Sequence, residues 1–200
     1  MKIVINQIDI TDYQVSVNAA LILKSINEHK DCQGFMLFPE LAFTGFPTAD
    51  NIDSLCSQSQ SHFEDLLIAS KNTDSTIIVG HIDKQDQLFY NACYFIKNGK
   101  IIHKHRKSKL WLDDVGVFTS GKDLSVVSIN DVVCGAQICF ELEFPEGSRA
   151  LAKKRRKNHI YAKRQYVSLC KYPLCIDSSS CYREPMFCDY LQRCGRRSWR

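Results

Sequence analysis

Two hundred residues, 44% of them hydrophobic and 24% charged, suffice for one domain with a buried core and exclude a disordered chain. No apolar run approaches the roughly 18 residues of a membrane span. Met1-Lys2-Ile3-Val4-Ile5 is too short and turns polar too soon for a secretory leader, so the expected setting is cytoplasmic with no membrane partner. The net charge of +4 is unevenly spread: residues 1–154 hold 15 Lys and Arg against 19 Asp and Glu, and residues 155–200 hold 11 against 3.

Lys2 to Ile10 alternates apolar and polar residues and reads as a first strand. Val15 to His29 puts Val17, Ala20, Leu21, Leu23 and Ile26 at helical spacing. Gly34 to Phe38 is a short continuous apolar run, as in a strand covered on both faces, and it leads directly into Pro39-Glu40. A second helix fits His62 to Ser70, and Ser75 to His81 is another buried strand. Leu88–Ile96 and Lys100–His103 flank Asn98-Gly99, the signal for a two-residue hairpin turn. Ser125–Ile129 and Val132–Ile138 supply two more strands, and a helix begins at Phe144. Strands alternating with helices predict an α/β fold whose hairpins make part of the sheet antiparallel.

Three blocks carry chemistry. Glu40 follows a strand, and beside Phe38, Phe43 and Phe46 its carboxylate would be partly desolvated, hence a better proton acceptor near neutrality than an ordinary loop glutamate. Lys107 lies in His103-Lys104-His105-Arg106-Lys107-Ser108-Lys109; alone this reads as a solvated basic run, with Lys104 and Lys109 as rival amines. Cys139 ends the run from Val132, where strand gives way to a turn, and backbone N–H groups there favour a thiolate and an oxyanion. Cys134, inside the strand, reads as a packing residue. A carboxylate, an amine and a thiol are the minimum set for covalent hydrolysis by a cysteine.

In order, these blocks stand as PELAFTG, HRKSKL and CFELEFPE, and together they resemble the three signatures of the nitrilase superfamily, the carbon–nitrogen hydrolases. The resemblance implies an αββα sandwich that often forms homodimers or higher oligomers. It also implies Glu40 as general base, Lys107 as oxyanion stabiliser and Cys139 as nucleophile, with no metal or organic cofactor. The substrate class it implies is a small amide, N-carbamoyl compound or nitrile, cleaved through a cysteine thioester. Three positions depart from the family pattern: His105 replaces the aromatic before Arg106, Lys109 replaces the usual histidine, and Asp114 stands where glutamate is commoner ahead of Phe118 and Gly121.

The resemblance covers residues 1–154, the expected N-terminal part of the hydrolase domain. Residues 155–200 read as a basic, Cys-rich tail foreign to the fold, holding five of the ten cysteines and none of the family's later segments. With no sign of secretion, those thiols are expected to be reduced. A single extra base in Lys153-Lys154-Arg155-Arg156, encoded AAA AAA AGG AGG, explains the break. Within the codon degeneracy, the shifted frame can read a strand ending MPSA and then AAIENQ, both like the family, with no stop forced. The chain is then a truncated αββα sandwich, expected to be poorly soluble and inactive. Alternatives are a genuine basic binding tail, which would retain nucleic acid in a salt-dependent way, and a papain-like hydrolase pairing Cys139 with His159. A zinc site in the tail is weakly supported, because no Cys-x-x-Cys pair occurs. The main reading has no nucleic-acid partner.

Overall fold

The computed structural model describes residues 2–156, 164–170 and 188–192. The first sheet holds β1 (Lys2–Ile5), β2 (Gly34–Leu37), β3 (Thr76–Gln85), β4 (Leu88–Lys97) and β5 (Lys100–Arg106), in that spatial order. Helices α1 (Val15–Glu28) and α2 (Ile52–Ala69) make the two crossovers, so β1, β2 and β3 run parallel. The hairpins then add β4 and β5 antiparallel. Asn98 and Gly99 both adopt positive φ, 48° and 74°, the backbone of the tight turn that Asn-Gly predicts.

Two boundaries differ most from the sequence reading. β1 stops at Ile5 because Asn6 gives both its N–H and its Nδ2 to the Leu37 carbonyl, at 2.9 and 3.0 Å, which closes the pairing with β2. α2 begins ten residues before His62, with Ile52, Leu55, Cys56 and Ser59 continuing the buried face of Phe63 and Leu66. The polar run Ser57-Gln58-Ser59-Gln60-Ser61 hides that face from a hydrophobicity pattern.

The second sheet is built from β6 (Val126–Ile129), β7 (Val132–Ile138), β8 (Arg164–Cys170) and β9 (Cys188–Gln192). β6 and β7 form an antiparallel hairpin, and α3 (Pro145–Arg156) lies between β7 and the parallel β8 and β9 in the chain. Both added strands lie in the stretch that the sequence reading set outside the fold. Tyr166-Val167 and Tyr190-Leu191 are strand-favouring pairs in segments whose basic flanks and cysteines mask any alternation. His159 lies outside the described residues.

The layers follow from alternation along the strands. Met36, Phe38, Ile77, Val79, Tyr94 and Ile96 face α1 and α2, meeting Ala19, Ile22, Ile26, Phe63 and Leu66. The opposite face of the same strands, with Phe35, Leu37, Ile78, Cys93 and Phe95, packs on Ile129, Cys134, Ala136 and Ile138 of the second sheet. Leu151 of α3 lies over Gly135 on the outer side of β7. The order is helices, sheet, sheet, helix: the αββα sandwich. Among the described residues no helix is long and apolar enough to cross a membrane.

Candidate active site

Glu40 sits where β2 has ended and the chain folds back against β3. Gly80 permits that approach: a Cβ there would lie 2.5 Å from the Leu41 nitrogen and 2.6 Å from Glu40 Cα. The bare backbone instead binds the loop twice, through Gly80 N–H to the Pro39 carbonyl (3.1 Å) and Ala42 N–H to the Gly80 carbonyl (2.9 Å). Leu41 takes the left-handed conformation, φ 49°, to complete the turn. Glu40 ends 1% exposed.

Lys107 follows β5 and is equally buried, so the reading of this stretch as a solvated basic run does not hold for it. Its ammonium lies 2.9 Å from Glu40 Oε1 and 2.8 Å from Asp114 Oδ2. Burial disfavours the charge, but Glu40, Asp114 and Cys139 outweigh it and hold the amine protonated well above its ordinary range. The rivals are occupied elsewhere: Lys104 pairs with Asp83 at 2.8 Å, and Lys109 lies over the Phe144 ring.

Cys139 closes β7 with a left-handed backbone, φ 50°, and opens a five-residue 3-10 turn, Cys139–Glu143. That conformation costs a non-glycine residue about 1–3 kcal/mol and is concentrated at functional sites. The thiol is half-buried, next to the inter-sheet core, while Cys93 and Cys134 are buried within it. Burial pushes the Cys134 thiol up to about 12 and Cys93 higher still, which leaves both inert. Beside Cys139, Phe140 meets Trp111 edge-on at 4.7 Å and Phe144 at 5.0 Å. Among the described residues no group of three or more His, Cys, Asp or Glu is arranged to hold a metal ion.

The three side chains singled out in the sequence thus come from three strand ends: Glu40 touches Lys107, and Cys139 is among the groups that raise the Lys107 pKa. A family model for carbon–nitrogen hydrolases matches residues 2–180. The chain belongs to the carbon–nitrogen hydrolase family. The match continues past Lys154, where the sequence resemblance stops.

Among its relatives, an (R)-stereoselective amidase from Pseudomonas sp is 27% identical over 154 residues, 76% of this chain and 56% of the amidase. A glutamine-dependent NAD(+) synthetase from Aquifex aeolicus is 24% identical over 74% of this chain and 27% of its own length. The chain therefore spans about half, or less, of these curated relatives. Among solved structures, a Nesterenkonia AN1 amidase from the nitrilase superfamily superposes with a TM-score of 0.83, covering 98% of this chain and 77% of that one. At 16% identity that likeness shows the fold.

Asn91 and Asp114, which touch the Glu40–Lys107 pair, escaped the sequence reading in whole or part. Asn91, fully buried on β4, donates from Nδ2 to Glu40 Oε1 at 2.7 Å, and its carbonyl accepts the Lys107 N–H at 2.8 Å. Nothing in its strand segment marks it out beyond a polar residue in an otherwise apolar run. Asp114 was visible only as a departure from the family pattern. Besides Lys107, its carboxylate accepts the Trp111 N–H at 2.8 Å and so caps the short turn that holds it there. Glu40 Oε2 is buried with no hydrogen-bond partner among the described residues.

Proposed function

We propose that the chain carries the site of a cysteine hydrolase that cleaves a linear, non-peptide amide or N-carbamoyl bond. Glu40 Oε2 takes the Cys139 proton, and the sulfur adds to the carbonyl carbon. Lys107 stabilises the oxyanion that forms, a contribution of about 3–4 kcal/mol for one well-placed donor. Collapse breaks the C–N bond; Glu40 returns the proton to the departing nitrogen, which leaves as ammonia or an amine. Glu40 next deprotonates water, which adds to the thioester, and the acid leaves as the C–S bond breaks and the thiol is reprotonated.

The observation that carries this reading is the buried contact of Glu40 with Lys107 beside a cysteine held in a left-handed elbow. Two carboxylates, Glu40 and Asp114, flank one ammonium. Moving a proton from Cys139 to Glu40 shifts the negative charge onto sulfur without changing the total, so the buried cluster tolerates the thiolate. Relatives named as amidase and as glutamine-dependent synthetase favour an amide carbon over a nitrile. Residues 155–200 enter the proposal as a stretch read out of frame, and the chain read on in the shifted frame is the form expected to turn over.

The test is acyl transfer from propionamide to hydroxylamine, followed as hydroxamate, in both reading frames. Hydroxamate formed by the shifted-frame chain and abolished by Cys139→Ala supports the proposal. Hydroxamate absent from both forms, or unchanged by Cys139→Ala, contradicts it.

A further inference from the structure

One buried carboxylate outside the Glu40–Lys107–Cys139 group touches the backbone beside two of its members. Glu141, 2% exposed, lies two residues after Cys139. Its Oε2 accepts the Ile138 N–H at 2.7 Å and the His105 Nε2–H at 2.8 Å. Its Oε1 accepts the Ser108 N–H at 2.9 Å and the Ser108 hydroxyl at 2.6 Å. Ile138 immediately precedes Cys139, and Ser108 immediately follows Lys107. An ionised carboxylate offers only acceptors, so His105 Nε2 carries the hydrogen.

We propose that Glu141 is a positioning residue that fixes the distance between the Cys139 sulfur and the Lys107 ammonium by tying together the backbones next to them. The inference rests on the roles given above to Cys139 and Lys107. All four groups facing the carboxylate are donors, so a neutral amide would turn an NH2 against two of them whichever way it flipped. Burial penalises the charge, yet the His105 and Ser108 bonds hold the carboxyl below its ordinary range, consistent with a fully satisfied anion. A capping role in the 3-10 turn alone accounts for the bond to Ile138; it does not account for three bonds reaching across to residues 105 and 108, 33 to 36 positions away in the chain. The left-handed backbone of Cys139 needs such external restraint to persist.

The test is the pH dependence of Cys139 alkylation by iodoacetamide in the full chain, mapped by mass spectrometry for wild type and for Glu141→Gln, His105→Gln, Ser108→Ala and Lys107→Met. Cys93 and Cys134 report the fold, because they alkylate only if the core opens. A thiolate held less closely to Lys107 forms at higher pH. Glu141→Gln is therefore expected to slow labelling near neutrality by about tenfold, one pKa unit, with Cys93 and Cys134 silent. His105→Gln and Ser108→Ala should move the profile the same way by less.

An unshifted Cys139 profile in Glu141→Gln, with Lys107→Met shifted, overturns the positioning role and leaves the proposed function standing. An unshifted profile in Lys107→Met removes the basis of both. If Glu141→Gln exposes Cys93 and Cys134, the two milder variants decide: shifted profiles support positioning, and unshifted ones overturn it.

Discussion

Lys107 Nζ lies 2.9 Å from Glu40 Oε1, with both side chains removed from water. A buried ion pair is a poor source of stability, because desolvation offsets its attraction. Its persistence here is instructive because a third group, Asp114, adds a second carboxylate to the same ammonium. The arrangement sets an always-charged amine beside a carboxylate with one oxygen unpartnered among the described residues, and that is what the proposed oxyanion formation by a neighbouring thiol requires.

Replacing Lys107 by Met leaves Glu40 and Asp114 buried without their cation. Breaking such a pair costs about 3–5 kcal/mol, and loss of one oxyanion donor lowers kcat by about 10²–10³. Urea denaturation should therefore show an earlier midpoint, and turnover should fall further than the folded fraction does. Turnover that tracks the folded fraction alone would remove Lys107 from the chemistry.

Gly80→Ala tests the backbone contact that sets Glu40. A Cβ 2.5 Å from the Leu41 nitrogen must displace the loop, at about 1–3 kcal/mol for overpacking. Glu40 moves with it, so the loss of turnover should exceed the loss of stability. Wild-type kcat in this variant would show that the loop is not held through Gly80.

His81 makes acid sensitivity a property of the fold. Its ring stacks on Phe63 at 4.7 Å and meets Phe43 at 5.0 Å, and burial lowers its pKa to about 4, with Asp83 pulling weakly the other way. The folded state thus keeps the ring neutral, while the unfolded chain binds a proton below about pH 6.5. Stability is unaffected above that pH and declines from pH 6.5 to 4, by about 3 kcal/mol in total. Thermal melts across this range should show a fall that His81→Phe flattens; a variant melting with the wild-type pH slope would assign the effect elsewhere.

The coding frame is open to direct reading. DNA sequenced through the codons for Lys153 to Arg156 should carry one A fewer than AAA AAA AGG AGG implies. An unchanged frame, with peptides of residues 155–200 recovered from cells, would make the tail native and the two added strands its contribution to the second sheet.

The strand pattern, the Asn98-Gly99 turn and the three blocks around Glu40, Lys107 and Cys139 were legible because each is a local signal. Alternation marks β7, a dipeptide marks the hairpin, and a motif marks Cys139. Asn91, Gly80 and Glu141 were not, because their importance comes from contacts across 51, up to 41 and up to 36 residues of chain. A polar residue within a strand, a glycine beside a histidine and a glutamate in a turn carry no local mark of such partners. β8 and β9 were missed for a different reason: their sequences are short and surrounded by basic residues and cysteines, and what defines them is pairing in register, β8 with β7 and β9 with β8.

The most direct measurement is to mix the shifted-frame chain with p-nitrophenyl acetate, quench in acid and map the acetyl group by mass spectrometry. Acetyl found on Cys139 alone, and lost in Glu40→Gln, is the result predicted for a nucleophile activated by that carboxylate; a papain-like site using another base would keep its label. Acetyl spread over several cysteines, or retained on Cys139 in Glu40→Gln, would contradict the mechanism.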